Sequence, residues 1–134
     1  MKAFFDTNVY VNTFFRPVLP KAQFESYFKS YEVWICPLVK HELLLGTIHP
    51  KTKADLEKFF LACPTFEAPD REMWNQATEL MKKMKWKESK HQNDVLIALT
   101  ACRESALLFS YDKIFKILQK ELSFSFQCLE EKKH

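Results

Sequence analysis

Glycine is nearly absent: Gly46 is the only one in 134 residues, where average usage of ~7% would supply about nine. A single glycine excludes GxGxxG turns and Walker phosphate loops. It also argues against a hairpin-rich all-β fold, whose tight turns need positive φ. No apolar run approaches the ~18 residues of a membrane span. Cys36, Cys63, Cys102 and Cys128 form no CxxC pair, and each adjoins an apolar stretch. Buried thiols in a reducing compartment are therefore expected, not disulfides or a thiolate metal site. His41-Glu42 opens HELLL and not HExxH, so no zinc-hydrolase pair of imidazoles lies on one helix face. The opening residues, MKAFFDTNVYVN, place Asp6 within any would-be signal core and offer no small-residue cleavage site, so the expected location is cytoplasmic.

Phenylalanine is the opposite extreme, at 13. Many aromatics and few glycines suggest a helix-heavy domain with a bulky core. The length fits one domain, 1–134, and 47% apolar with 28% charged residues keeps the chain away from disorder. Strands are expected at 2–5, 33–36, 65–68, 106–110 and 124–129. Helices are expected at 8–15, 20–30, 37–48, 50–62, 69–85, 92–105 and 111–121, several opened by proline. Short strands alternating with helices mean an α/β fold, a mostly parallel sheet covered on both faces. Ligand sites in such folds collect at the carboxyl ends of strands.

Four acids resist a solvated reading. Asp6 follows AFF at the end of the first strand. Glu42 has Leu38, Val39, Leu45 and Gly46 as helical neighbours, which predicts a buried stripe. Asp94 opens the apolar run VLIALTAC. Asp112 follows the strand ALLFS. Taken singly, Asp6 and Asp112 read equally well as helix N-caps, Asp94 as a first-turn acid favoured by the helix dipole, and Glu42 as half of an ion pair. Jointly, a doubly wound sheet brings all four to one rim. Their combined charge near −4 calls for protons or a divalent cation, and oxygen-only ligands favour Mg²⁺ or Mn²⁺. Convergence of this kind raises carboxylate pKa values and destabilises the metal-free fold.

FDTNV at 5–9, KHELLLG at 40–46, NDVLIALTA at 93–101 and FSYDKIF at 109–115 resemble the four signature segments of PIN domains. They are most similar to the VapC-type toxins of prokaryotic toxin–antitoxin pairs. The resemblance spans residues 1 to about 128 and implies a three-layer α/β/α domain, with about 4–5 strands and about seven helices. It further implies a Mg²⁺- or Mn²⁺-dependent endoribonuclease acting on a tRNA or rRNA loop and leaving 5′-phosphate and 3′-hydroxyl ends. The family's acidic quartet falls on Asp6, Glu42, Asp94 and Asp112. Of these, Asp6, Asp94 and Asp112 would hold the metal, and Glu42 would position or deprotonate the attacking water. Thr7, Asn8 and Ser110 would orient the carboxylates. One position departs from many relatives: Ile114 stands where they carry a further acid, which bears on a second metal. The implied partners are RNA, a small cognate antitoxin protein and a second copy in a homodimer, with no membrane.

The net charge is +3. With the quartet set aside, 20 basic residues face 13 acidic ones, a balance of +7, which suits gripping phosphates around an acidic pocket. The densest basic segment supplies Lys82, Lys83, Lys85, Lys87 and Lys90 as phosphate contacts, with Trp86 as a stacking surface. The same lysines would equally complement a helix C-terminus. Two other readings remain. A haloacid-dehalogenase-type phosphatase needs a second Asp two residues after the first, where this chain has Asn8. A catalytically silent PIN-fold binding module would carry a broken quartet, and this quartet is intact.

Overall fold

The structure, a computed structural model, describes residues 1–46, 49–86 and 89–131. The chain opens with β1 (Lys2–Phe5) and α1 (Thr7–Tyr10), which runs on as a π-turn over Val11–Phe15. There follow α2 (Lys21–Ser30), β2 (Glu32–Val33), α3 (Pro37–Gly46), α4 (Pro50–Ala62) and α5 (Arg71–Lys83). A 3₁₀ turn at Ser89–His91 leads into α6 (Gln92–Glu104), then β3 (Leu107–Ser110), α7 (Ile114–Leu118) and β4 (Ser125–Cys128). The four strands form one all-parallel sheet in the order β2-β1-β3-β4, the three-layer α/β/α architecture expected. No described helix is long and apolar enough to cross a membrane.

Both central strands are buried on successive residues and so on both faces: Ala3, Phe4 and Phe5 in β1, Leu108, Phe109 and Ser110 in β3. That pattern belongs to parallel strands covered by helices. In α6, Val95 through Ala101 are all buried, as a helix apolar all round must be. The phenylalanines fill one aromatic core. The Phe5 ring meets Tyr10, Phe24, Tyr27, Phe28 and Phe109, with centroids 5.1–6.2 Å apart.

Several expected elements come out shorter, three of them by half or more. The strand at 33–36 ends at Val33, and the one at 65–68 reduces to a single parallel bridge between Ile35 and Thr65. Flanking Pro64 has no N–H for a ladder. The helix at 111–121 shrinks to Ile114–Leu118, because the Asp112 side chain accepts the Ile114 N–H at 3.0 Å and sets a later start. Asp70 does the same for α5, accepting the Met73 N–H at 2.9 Å. All four cysteines are free thiols, and burial pushes the Cys36 thiol up to about 11.

Helices α5 and α6 end alike. Trp86 N–H donates to Met81 O (2.9 Å) and Lys85 N–H to Lys82 O (3.1 Å). Ala106 N–H likewise donates to Ala101 O (3.1 Å) and Ser105 N–H to Cys102 O (3.3 Å). These are Schellman closures, whose turning residue is normally glycine. Here Lys85 (φ 58°) and Ser105 (φ 51°) fill that left-handed position.

Candidate active site

In this strand order the chain leaves β1 toward β2 on one side, while β3 and β4 lie on the other. The β1/β3 boundary is thus the switch point where crevices open at strand carboxyl ends. Asp6 and Ser110 stand there. The Asp6 N–H donates to Phe109 O at 2.9 Å, which locks the ends of β1 and β3 together. Asp6 is 7% exposed. Its Oδ1 accepts the Thr7 N–H at 2.8 Å, so it also caps α1, and its Oδ2 accepts the Ser110 hydroxyl at 2.8 Å. The buried Ser110 Oγ in turn accepts from Asn8 Nδ2 (3.1 Å) and the Asp112 N–H (3.0 Å). Asn8 Oδ1 accepts the Tyr111 N–H at 3.2 Å. Ser110 and Asn8 therefore fix one carboxylate and the backbone that carries another.

Asp94, in the first turn of α6, is half-buried, with its Oδ2 3.6 Å from His91 Nδ1. That is an ion-pair distance if the ring is protonated, and too long for a hydrogen bond. Asp112 is exposed. Glu42 is exposed too, which overturns its placement on a buried stripe. The apolar neighbours that suggested burial are themselves uneven: Val39 is 1% exposed and Leu45 73%. Glu42 thus stands at the solvent edge of the site.

The four acids still act on one another. Burial pushes the Asp6 carboxyl up to about 6, and the Asp94 and Glu42 charges add to the rise, while Ser110 and the Thr7 N–H oppose it. Burial likewise raises Asp94, reinforced by Asp112 and Glu42 and opposed by His91. No Lys or Arg pairs with Asp6 among the described residues. Two buried side-chain polar atoms lack hydrogen-bond partners among the described residues, and both adjoin these acids: Thr7 Oγ1 and His91 Nδ1. An uncompensated all-oxygen donor set with orphaned polar atoms beside it fits a hard divalent cation in chemistry. Among the described residues no three His, Cys, Asp or Glu side chains stand close enough to chelate an ion directly. Mg²⁺, which keeps several waters and needs only one or two carboxylates, is compatible with that spacing.

The basic segment is divided. Lys82 and Lys85 line a groove of about 610 Å³ with Trp74, Trp86 and Gln92, and Lys90 is exposed. Lys83 faces elsewhere, its Nζ 2.5 Å from Glu121 Oε2, so it is not placed with the others. Lys87 lies outside the described residues. Two residues at this site escaped the sequence reading. His91 meets Trp86 (ring centroids 4.6 Å) and Asp94. Trp74 faces the groove. Their signals were present, a His three residues before Asp94 and a Trp one helical stretch before the lysines, but neither is interpretable without the α5–α6 packing.

The PIN domain family model matches residues 3–121. No curated protein matches significantly in sequence. Solved structures share the fold. A chain of VapBC2 from Rickettsia felis, bound to a promoter DNA fragment, superposes with TM-score 0.72 at 18% identity, covering 97% of this chain and 100% of that one. A chain of VapBC-1 from nontypeable Haemophilus influenzae gives 0.70 at 17%, covering 96% and 98%. A chain of VapBC-5, from a toxin–antitoxin system of Mycobacterium tuberculosis, gives 0.61 at 16%, covering 96% and 98%.

Proposed function

Since this chain belongs to the PIN domain family, we propose that it is a divalent-metal-dependent endoribonuclease and the toxin of a toxin–antitoxin pair, cutting a structured tRNA or rRNA loop. The observation that carries the reading is Asp6. It is a buried carboxylate at the β1/β3 switch point, held by Ser110 and Thr7, raised by burial and further by two other acids, and without a cationic partner among the described residues. Asp6, Asp94 and Asp112 would hold Mg²⁺ or Mn²⁺, which when bound neutralises phosphate charge and lowers the pKa of a water. Ser110 and Asn8 keep the Asp6 oxygens and the Asp112 backbone in place, so that no reorganisation is needed when RNA arrives. Glu42, at the solvent edge, takes the proton from the attacking water as the water oxygen bonds to phosphorus and the P–O3′ bond breaks, and the departing O3′ takes a proton from solvent to end as the 3′-hydroxyl. A phosphatase reading lacks support, because Asn8 occupies the second-acid position and its amide is engaged with Ser110.

The fold likeness to VapBC chains supports an antitoxin partner. An arginine from that partner would answer the uncompensated carboxylates with a guanidinium fork. The homodimer follows from the family resemblance alone. Sedimentation at micromolar concentration checks this: a dimer is expected, and a monomer removes it.

The nuclease reading is tested with purified chain, structured RNA and Mn²⁺ or EDTA, with p-nitrophenyl phosphate as the contrasting substrate. Asp6→Asn or Asp94→Asn should each lower RNA cleavage by orders of magnitude, since each supplies several kcal/mol of charge organisation. A double variant as active as wild type sinks the assignment.

A further inference from the structure

The groove between α5 and the turn that follows it has two indole faces, Trp74 and Trp86, with Ala77, Thr78 and Met81 between them and Lys82, Lys85 and Gln92 also in its lining. Trp74 is 41% exposed, an unusual cost for so large an apolar surface unless something covers it. Among the described residues neither lysine makes a buried ion pair: Lys82 pairs with Glu79 at 3.6 Å, with both side chains more than 70% exposed. Lys85 makes no ion pair among the described residues. Lys85 also occupies the left-handed turn of the α5 cap at φ 58°, where an L side chain carries a steric cost. The chain accepts that cost at the groove's edge. The groove is continuous with the acids: Trp86 packs on His91, which stands 3.6 Å from Asp94.

Stacking faces joined to exposed cations are what single-stranded nucleic acid requires, since every base offers a π-face and every link a negative charge. We propose that this groove is a base-stacking subsite for single-stranded RNA. Bases lie against Trp74 and Trp86, Lys82 and Lys85 hold the flanking phosphates, and the strand passes over His91 to the carboxylates. The inference rests on the nuclease reading and locates its substrate. Charge complementarity selects this occupant over a protein segment, which would not need both lysines.

The test uses the full chain in EDTA, so that nothing is cut, with a fluorescein-labelled 12-residue oligoadenylate read by anisotropy. Trp74→Ala should weaken binding about 5-fold or more, the lower end of what one stacked base contributes. Trp74 is exposed enough that its loss leaves the fold standing, which circular dichroism confirms. Lys82→Ala with Lys85→Ala should flatten the log–log salt dependence by about 0.7 per lysine. Lys83→Ala, facing Glu121, should change neither. Wild-type binding by both groove variants overturns the proposal. So do groove variants that bind RNA normally but differ from wild type in sedimentation, which would assign the groove to a second copy of this chain. The two readings fail separately. A chain that cleaves no RNA with any divalent cation refutes the nuclease. A chain that cleaves, with KM unmoved by Trp74→Ala, refutes the subsite alone.

Discussion

Asp6 carries a burden that its sequence position does not advertise. With its carboxyl raised from 3.8 to about 6, the native state holds a proton that the unfolded chain releases. The stability due to that proton is fully present below about pH 4 and is lost as pH rises through about 6, so the metal-free fold should weaken across that window. A shift of this size is worth about 3 kcal/mol. Asp6→Asn removes the charge but must still accept from Thr7 and Ser110, so a net gain of about 1–2 kcal/mol is expected. The check is a thermal melt in chelator at pH 7.5 and pH 4. The variant should melt several degrees above wild type at the higher pH, and the advantage should shrink at the lower. Equal melts at both would mean that Asp6 is solvated or already paired. Asp6 and Asp94 were legible because a strand end and an apolar run flank them. Glu42 is exposed despite its leucine neighbours because the solvent-facing side of α3 carries leucine too, as Leu45 shows.

Helix ends tell a different story about the scarcity of glycine. Lys85 and Ser105 both sit at φ near 50–60°, where a glycine would relieve about 1–2 kcal/mol and return part of it as chain entropy. Ser105→Gly is expected to raise the melting temperature by about 2–4 °C, an effect of ~0.5–1 kcal/mol, and to leave RNA cleavage unchanged. Lys85→Gly should stabilise similarly while weakening oligoadenylate binding. Scanning calorimetry alongside anisotropy separates the two, and a Lys85→Gly variant that binds as well as wild type would show that this side chain has only a structural cost. The elements themselves were readable because proline marks the starts of α3 and α4 and apolar runs mark β1, β3 and α6. The ends were not. Asp70 and Asp112 reset helix starts by accepting N–H groups two or three residues on, and such side-chain competition with the backbone has no periodic signal.

For the molecule as a whole, alternation predicted a parallel sheet, but the order β2-β1-β3-β4 depends on pairings such as Phe5 with Phe109, which no local pattern encodes. That order sets Asp6 and Asp112 after neighbouring strands, with Asp94 opening the helix before β3, so on the proposed reading metal binding and folding should be linked. If the site holds a metal as proposed, Mn²⁺ should raise the melting temperature of wild type, since a ligand bound only by the folded state stabilises it. In Asp94→Asn the metal-free melt should rise, through relief of burial and of repulsion from Asp112 and Glu42, and the Mn²⁺ response should largely vanish. Melts of both proteins with EDTA and with Mn²⁺ decide this. A less stable metal-free variant with an undiminished Mn²⁺ response would make Asp94 a helix-terminus residue and nothing more.

The hydrogen bond from Ser110 to Asp6 joins positions 104 residues apart, and this separation has a consequence in time. At roughly 5–20 residues per second, a ribosome that has made Asp6 needs about 5–20 s to reach Asp112. Contacts this distant in sequence also form late in folding. Through that interval the nascent chain has its first carboxylate but neither the Ser110 hydroxyl to hold it nor β3 to seat it. Whatever chemistry the finished site performs, that site cannot assemble before β3 has been made.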